Sequence, residues 1–274
     1  MRCRHILFFL FGIFFNKITY GSGFGGAISA GSGLSGRAVA EEGEGASFNP
    51  ALVAFSKGYH FRITGLQPAG TTSQSALRVS ILDSLPETVI PASILYSELK
   101  NHQNFTERDF LVNFGNMMGA KSGLGFGIGY RTKPHLDLSN PVQEERSQVY
   151  ALVGAQHYFS NELSVAATFE PQNYGFGLGY IFRRLIRLRA DYTQSSLGEA
   201  PGREGFISLG GETFINRWIV FRLGAIQASH DNPQSTWGVG FMGPRLKLNY
   251  AYAPFNILRS NEYAHWLDLS LPVW

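Results

Sequence analysis

The chain has 274 residues, with 23 Lys+Arg against 20 Asp+Glu for a formal net charge of +3, and no stretch resembling an interdomain linker divides it. The first 23 residues contain Arg2, Arg4 and Lys17 but no acid, so the remainder is balanced at 20 basic and 20 acidic groups and gives no electrostatic reason to expect a nucleic-acid partner. The only cysteine, Cys3, lies in that same stretch, which excludes a disulfide framework and thiolate chemistry from the rest of the chain.

The N terminus reads as a secretory signal peptide. Arg2, Arg4 and His5 precede the run ILFFLFGIFF at 6–15, which is too short to cross a bilayer as a helix. Small residues at 21–23 offer the cleavage site, so 1–23 is assigned to the signal, and a cysteine ahead of the apolar run does not fit a lipoprotein anchor. Residues 24–56 form the next unit. Their centre, SGLSGRAVAEEGEGASFNPALVAF at 32–55, is glycine-rich, has no convincing strand or helix period, and ends in Asn49-Pro50-Ala51 where a long series of strands begins. It reads as a plug enclosed by those strands. Pro50 fixes its own φ, lacks an N–H and restricts Asn49, giving the plug a stiff exit. Arg37, Glu44, Asn49, Pro50 and Ala51 are its candidate gating residues. Arg37 is expected to meet an acid of the wall, and Glu41, Glu42 and Glu44 basic groups there.

Residues 57–274 read as that wall. About 14 segments of strand character succeed one another, at 59–66, 75–83, 90–98, 107–117, 123–132, 147–158 and 162–169, then 173–182, 185–194, 205–214, 218–228, 235–242, 244–252 and 264–273. Each has the length that a tilted strand needs to cross a membrane. Their period is two. Tyr174, Phe176, Leu178, Tyr180 and Phe182 share a face opposite Gly175, Gly177 and Gly179, and Leu124, Phe126, Ile128 and Tyr130 alternate with Gly123, Gly125, Gly127 and Gly129. Elsewhere the second face is charged: Ile186, Leu188, Ala190 and Tyr192 alternate with Arg187, Arg189, Asp191 and Thr193.

A soluble sandwich also has one apolar face per strand. Two features favour a membrane barrel instead. Aromatic residues close the apolar rows, where interfacial girdles sit, and the connections alternate between long and tight. Only the connection at Pro171-Gln172 breaks that rhythm. The fold class is therefore an all-β, up-and-down antiparallel transmembrane barrel with an N-terminal hatch, both ends periplasmic, closed because hydrocarbon cannot satisfy a free strand edge.

The pieces Gly33-Leu34, Gly36-Arg37-Ala38, the acidic small-residue stretch at 41–45 and Asn49-Pro50-Ala51-Leu52, followed directly by strands, resemble the N-terminal hatch of the FadL-type family of outer-membrane transporters. The resemblance implies a 14-stranded barrel in the Gram-negative outer membrane, passive diffusion of long-chain fatty acids or other hydrophobic compounds, and a fatty acid-like ligand. It implies no cofactor. Outer-membrane lipids and the barrel-assembly machinery are the expected partners, and the protein is expected to be a monomer. The external connections here leave no room for large ligand-catching segments, and Trp274 is in phase with Ser270 and Asp268 rather than with the apolar row Leu267, Leu269, Leu271 and Val273. Related barrels with the Asn-Pro-Ala motif serve as shuttles in secretion. The alternative is thus a non-transporting accessory barrel that binds or shuttles partner proteins.

Arg187, Arg189, Arg222, Arg245 and Lys247 fall on expected lumen positions, as do Asp109, Asp191 and Glu212. Of these, Arg187, Arg189, Arg222 and Lys247 are the candidate ligand-binding groups, through a carboxylate; the competing reading pairs all these charges with one another. The glycine rows are expected either to admit the plug backbone or to leave an opening. No G-x-S-x-G, H-E-x-x-H or metal-ligand spacing supports catalysis or a metal site. His157 and His230-Asp231 read as isolated, and an embedded lipid hydrolase would need a Ser/His pair brought together by the fold.

Overall fold

The computed structural model describes residues 25–39, 43–70, 75–100, 106–135, 144–171, 173–183, 185–195, 204–228, 232–254 and 263–273. The expected signal, Glu41, Glu42, His230-Asp231 and Trp274 lie outside these residues. A short helix α1 (Ala27–Gly31) and two 3-10 turns (Gly45–Ser47 and Pro50–Phe55) precede the strands. The strands are β1 (Gly58–Pro68), β2 (Ser75–Ser84), β3 (Ala92–Lys100), β4 (Thr106–Met117), β5 (Ser122–His135), β6 (Glu144–Tyr158) and β7 (Leu163–Glu170). They continue as β8 (Asn173–Phe182), β9 (Ile186–Ser195), β10 (Glu204–Phe214), β11 (Ile219–Ala228), β12 (Gln234–Met242), β13 (Lys247–Pro254) and β14 (Tyr263–Val273).

Every strand pairs antiparallel with its sequence neighbours, and β1 pairs with β14 from Tyr59↔Val273 to Pro68↔Ala264. The sheet is therefore a closed barrel without an outer edge. Closure is what a strand-built wall needs in lipid, where each unsatisfied backbone group costs several kcal/mol. The period-two rows sort as the alternation requires. Phe126, Leu178, Leu209 and Leu223 are exposed on the outside, while Arg189, Asp191, Glu212, Arg222 and Asp268 are buried on the inside. In β14 the apolar row Leu267 and Leu271 faces out and Asp268 and Ser270 face in.

Two expectations need correction. β13 begins at Lys247 rather than 244, because Pro244 has no N–H to give a ladder and lies in the turn between β12 and β13. Arg245 lies in that same exposed turn, so it is not a lumen residue. The contrast between the two rims is also weaker than the sequence suggests. β5 and β6 run on past their expected ends and shorten the connection between them to 136–143, while the 85–91 connection is as long as most of those on the opposite rim.

The break in rhythm at 171–172 has a structural counterpart. β6 pairs with β7 only from Val153↔Phe169 to Tyr158↔Ser164, so the β7–β8 hairpin turns back well below the end of β6. The rim that carries the 69–74 and 136–143 connections is lowest there. The opposite rim carries both ends of the barrel chain and the turns at 118–121, 159–162, 183–185, 215–218 and 243–246, which is the periplasmic arrangement of up-and-down outer-membrane barrels.

Charge on the outer wall provides a direct test. Leu178→Arg places a guanidinium on the lipid face of β8 and is expected to cost about 2–4 kcal/mol of folding free energy, while Ile215→Arg in a periplasmic turn costs about 0–1 kcal/mol. Urea titrations of folding into lipid vesicles measure both.

Candidate functional site

The candidate site is the inner wall together with the segment 25–56 packed on it. Almost every described residue from 25 to 53 is buried. The first part, around α1, lies against β11 to β14, and the Pro50–Phe55 turn lies against β4, β5 and β6. Glycine makes this approach possible. A methyl group on Gly125 would overlap Ala51 N and Pro50 C, one on Gly154 would meet the Asn49 side chain, and one on Gly210 or Gly224 would meet the backbone at Ser32 and Gly33. The glycine rows of β5 and β8 thus carry the N-terminal backbone: Gly123 and Gly125 meet the 51–55 turn, and Gly175, Gly177 and Gly179 meet Arg37 to Val39.

Charged groups fasten the segment at two places. Glu44 Oε1 accepts from the backbone N–H groups of Gly26 and Ser29, both at 2.8 Å, and Oε2 from Arg62 Nη1 at 2.8 Å. Asp268 on β14 accepts from Ala27 N at 2.9 Å and lies 3.8 Å from Arg62. Burial by itself would raise the Glu44 carboxyl, but Arg62 and the two backbone donors outweigh it and hold the group below the usual carboxylate range. Arg37 is the second fastening. Its backbone N–H and that of Gly36 both donate to Asp191 Oδ2 at 3.0 Å, and its guanidinium donates to Thr168 at 2.9 Å and Thr193 at 3.0 Å.

Asn49 caps the Pro50–Phe55 turn. Its Oδ1 accepts from Ala51 N at 3.0 Å, Pro50 occupies the first position of the turn, and Asn49 Nδ2 donates back to Arg37 O at 3.1 Å. The segment is therefore not wholly without periodic structure. Asn-Pro is a turn-start signal legible in the sequence, masked by the absence of a 3.6 period in a 3-10 turn.

Three of the four candidate lumen cations are arranged around one carboxylate. Glu212 receives Arg189 Nη2 at 2.6 Å, Arg222 Nε at 3.0 Å and Arg187 Nη1 at 3.3 Å. Arg222 also donates to Asn249 Oδ1 at 3.0 Å. Lys247 lies further round the inner face, in register with Ser270, and is buried.

A second inner group is not evident from the sequence. Leu95, Leu111, Tyr150 and Leu152 form a buried apolar cluster on β3, β4 and β6. It adjoins Gly127 and Gly129, one step along β5 from Gly125 and its contact with Pro50. Above it, Tyr150 Oη donates to Asp109 Oδ1 at 2.8 Å, Arg131 Nη2 donates to Asp109 Oδ2 at 2.8 Å, and the Arg131 guanidinium covers the Tyr150 ring at 4.5 Å. Glu170, at the low β7–β8 turn, lies 3.7 Å from Arg131. Of this group, only Asp109 is among the lumen residues expected from the sequence, although Arg131 continues the inward row of Gly123 to Gly129. Tyr150 shares the parity of Leu152 rather than of Val149 and Val153, which is the signal that could have marked it.

One Ser/His pair does converge. Ser122 Oγ and His157 Nδ1 are 2.8 Å apart near the periplasmic rim, in the outward row of Leu124 and Val153, and no carboxylate joins them among the described residues. The edge of Phe159 packs on the imidazole instead.

The glycine contact yields a prediction. Gly125→Val is expected to displace the Asn49–Ala51 step from β5 and leave the barrel folded, read as a raised leak of small solutes in planar bilayers. Glu44→Ala leaves buried Arg62 with only Asp268 at 3.8 Å and frees the N–H groups of Gly26 and Ser29, and is expected to lower stability by about 3 kcal/mol, read as an earlier thermal transition.

No family model matches the sequence, and no curated protein does. Solved structures do match the fold. The CymD monoaromatic hydrocarbon channel superposes with a TM-score of 0.65 at 13% identity, covering 92% of this chain and 97% of that one. The Pseudomonas putida toluene transporter TodX gives 0.63 at 11%, covering 93% and 99%. A Pseudomonas aeruginosa FadL homologue gives 0.64 at 10%, covering 90% and 97%. In fold, then, this chain is similar over nearly its whole length to CymD, to TodX and to a FadL homologue, as a closed 14-stranded barrel of the outer-membrane type.

Proposed function

We propose that this protein is an outer-membrane channel through which hydrophobic compounds cross by passive diffusion, with residues 24–56 as the hatch that obstructs and gates it. The observation that carries this reading is the apolar cluster of Leu95, Leu111, Tyr150 and Leu152. It lies beside the low β7–β8 turn, which Glu170 joins to it through Arg131, and one glycine step along β5 from the contact with Pro50. A polar solute gains nothing from such a patch, whereas an apolar one exchanges water for hydrocarbon contacts at about 25 cal/mol per Å² buried. The likeness in fold to channels for toluene and monoaromatic hydrocarbons supports the same cargo class.

In this reading Tyr150 and Arg131 form a polar cover that a ligand must part, and a short displacement at Asn49, Pro50 and Ala51 opens the way past the hatch. Arg37 and Glu44 act as fastenings that keep the rest of it in place. The finer assignment is an amphiphile such as a long-chain fatty acid. Its carboxylate would be met first by Arg187, the most exposed of the guanidiniums around Glu212, with Arg189, Arg222 and Lys247 behind it on the inner wall. No chemical step and no energy source is required.

The test is binding and flux with the purified barrel. Saturable binding of a fluorescent long-chain fatty acid, weakened at least tenfold by Leu152→Asn but unchanged by Leu209→Asn on the outer wall, is the expected result. In proteoliposomes, deletion of residues 25–55 is expected to raise the flux of small solutes. A barrel that binds neither the fatty acid nor toluene, and that stays sealed after the deletion, overturns the reading and favours the accessory-barrel alternative.

A further inference from the structure

Three neighbouring periplasmic turns present the same chemistry, and the channel reading makes no use of it. The β8–β9 turn carries Arg183, the β10–β11 turn Arg217 and the β12–β13 turn Arg245, all exposed, and none makes an ion pair among the described residues. The described residues of these three turns include no acid; the acids of this rim, Asp83, Glu87 and Glu162, lie at the β2–β3 and β6–β7 turns.

The turns form one surface because backbone bonds join them from strand to strand. Phe214 N donates to Leu185 O at 2.9 Å, and Met242 N donates to Trp218 O at 2.7 Å. The apolar belt of the outer wall runs directly into this surface, with Leu185 55% and Ile215 68% exposed. Two of the guanidiniums rest on aromatic rings at that border. Arg183 lies over Phe182 at 5.2 Å, and Arg217 over Trp218 at 4.7 Å, with the Trp218 ring stacked on Phe241. Arg183 is held there by a backbone with φ of 47°, a conformation that few side chains other than glycine adopt.

We infer that this arc is a binding site for anionic phospholipid head groups of the periplasmic leaflet. The acyl chains lie along the exposed apolar residues below, and the aromatic rings sit at head-group depth. Each guanidinium faces a lipid phosphate, which it matches with two parallel N–H donors. A ring beneath the guanidinium holds it by one face and leaves its N–H edge free for the phosphate. A basic residue near an anionic surface favours binding by roughly fivefold, so three acting together select an anionic lipid over a zwitterionic one by on the order of 100-fold at low salt. The occupant is a lipid rather than a soluble anion because the arginines border the belt that must contact acyl chains in any case.

The experiment is native mass spectrometry of the full chain released from mixed micelles containing equal phosphatidylglycerol and phosphatidylcholine. The wild type is expected to retain phosphatidylglycerol preferentially, with the preference falling as salt is raised. The combined variant Arg183→Gln, Arg217→Gln, Arg245→Gln is expected to lose most of that preference, whereas Lys57→Gln with Lys121→Gln, on the other side of the same rim, keeps it. Heat-modifiable gel mobility confirms that each variant is folded, and the salt dependence of the wild type tests the inference even where a variant fails. Equal retention of the two lipids by the wild type, a preference unchanged in the triple variant, or capture of an acidic periplasmic protein in place of lipid overturns it.

Discussion

Everything in this molecule depends on the rule that a backbone N–H or C=O cannot remain unsatisfied in hydrocarbon. A wall made of strands obeys it only by closing, and here the closure is the β1–β14 ladder. Closure then creates a second requirement. The inside of a barrel this wide must be filled by side chains, by water or by another piece of chain. This sequence does it largely with another piece of chain, and the inward glycines of β5, β6, β8, β10, β11 and β12 are the accommodation, since a Cβ at Gly125, Gly154 or Gly210 would occupy space the N-terminal segment already takes. The outer rows answer to lipid and the inner rows to that segment.

The inner wall divides by chemistry. Round β9 to β14 and into β1 it is charged, with the Glu212 cluster and the Glu44, Arg62 and Asp268 group, whereas β3, β4 and β6 contribute the apolar cluster of Leu95, Leu111, Tyr150 and Leu152. Buried charge is weak evidence for stability, because desolvation offsets the attraction. It is better evidence for position. Glu44 has both oxygens committed to donors from α1 and β1, and Asp191 Oδ2 takes two consecutive backbone N–H groups, so each fixes one register of the segment against the wall.

Most of the barrel is legible in the sequence because alternation is a local property, and Tyr174 to Phe182 announces its two faces without knowledge of its neighbours. What depends on register is not. Arg245 shares the parity of Lys247, but parity means nothing once Pro244 has ended the ladder. The Tyr150, Arg131 and Asp109 group joins three strands, and only their pairing brings it together. Asn49-Pro50-Ala51 stands out in the sequence as a motif, but its physical task, capping a 3-10 turn, reads there merely as stiffness. The glycine rows are ambiguous for a related reason: a missing side chain records that something comes close, not what it is.

How the segment is fastened also determines which movement a gate can use. Breaking a buried ion pair by withdrawing one partner costs about 3–5 kcal/mol. Losing both fastenings together, Glu44 from Arg62 and Arg37 from Asp191, would leave a state populated on the order of one molecule in 10⁴ to 10⁷. Wholesale departure of the hatch is thus too rare to support useful passive flux, which by definition has no energy source to drive it. Between the fastenings and β1 lies a different kind of contact. The Pro50–Phe55 turn carries no ion pair and is held by van der Waals approach to Gly115, Gly123 and Gly125, by the burial of Leu52 and Val53 and by the Asn49 cap. Asn49 Nδ2 also donates to Arg37 O at 3.1 Å and to Ala155 O and Gln156 Oε1 at 3.4 Å; losing a cap costs typically about 1 kcal/mol. This stretch alone adjoins the apolar cluster. In the channel proposed above, a gate that works without energy therefore belongs at Asn49 to Ala51, with the charged fastenings as the fixed points about which it moves.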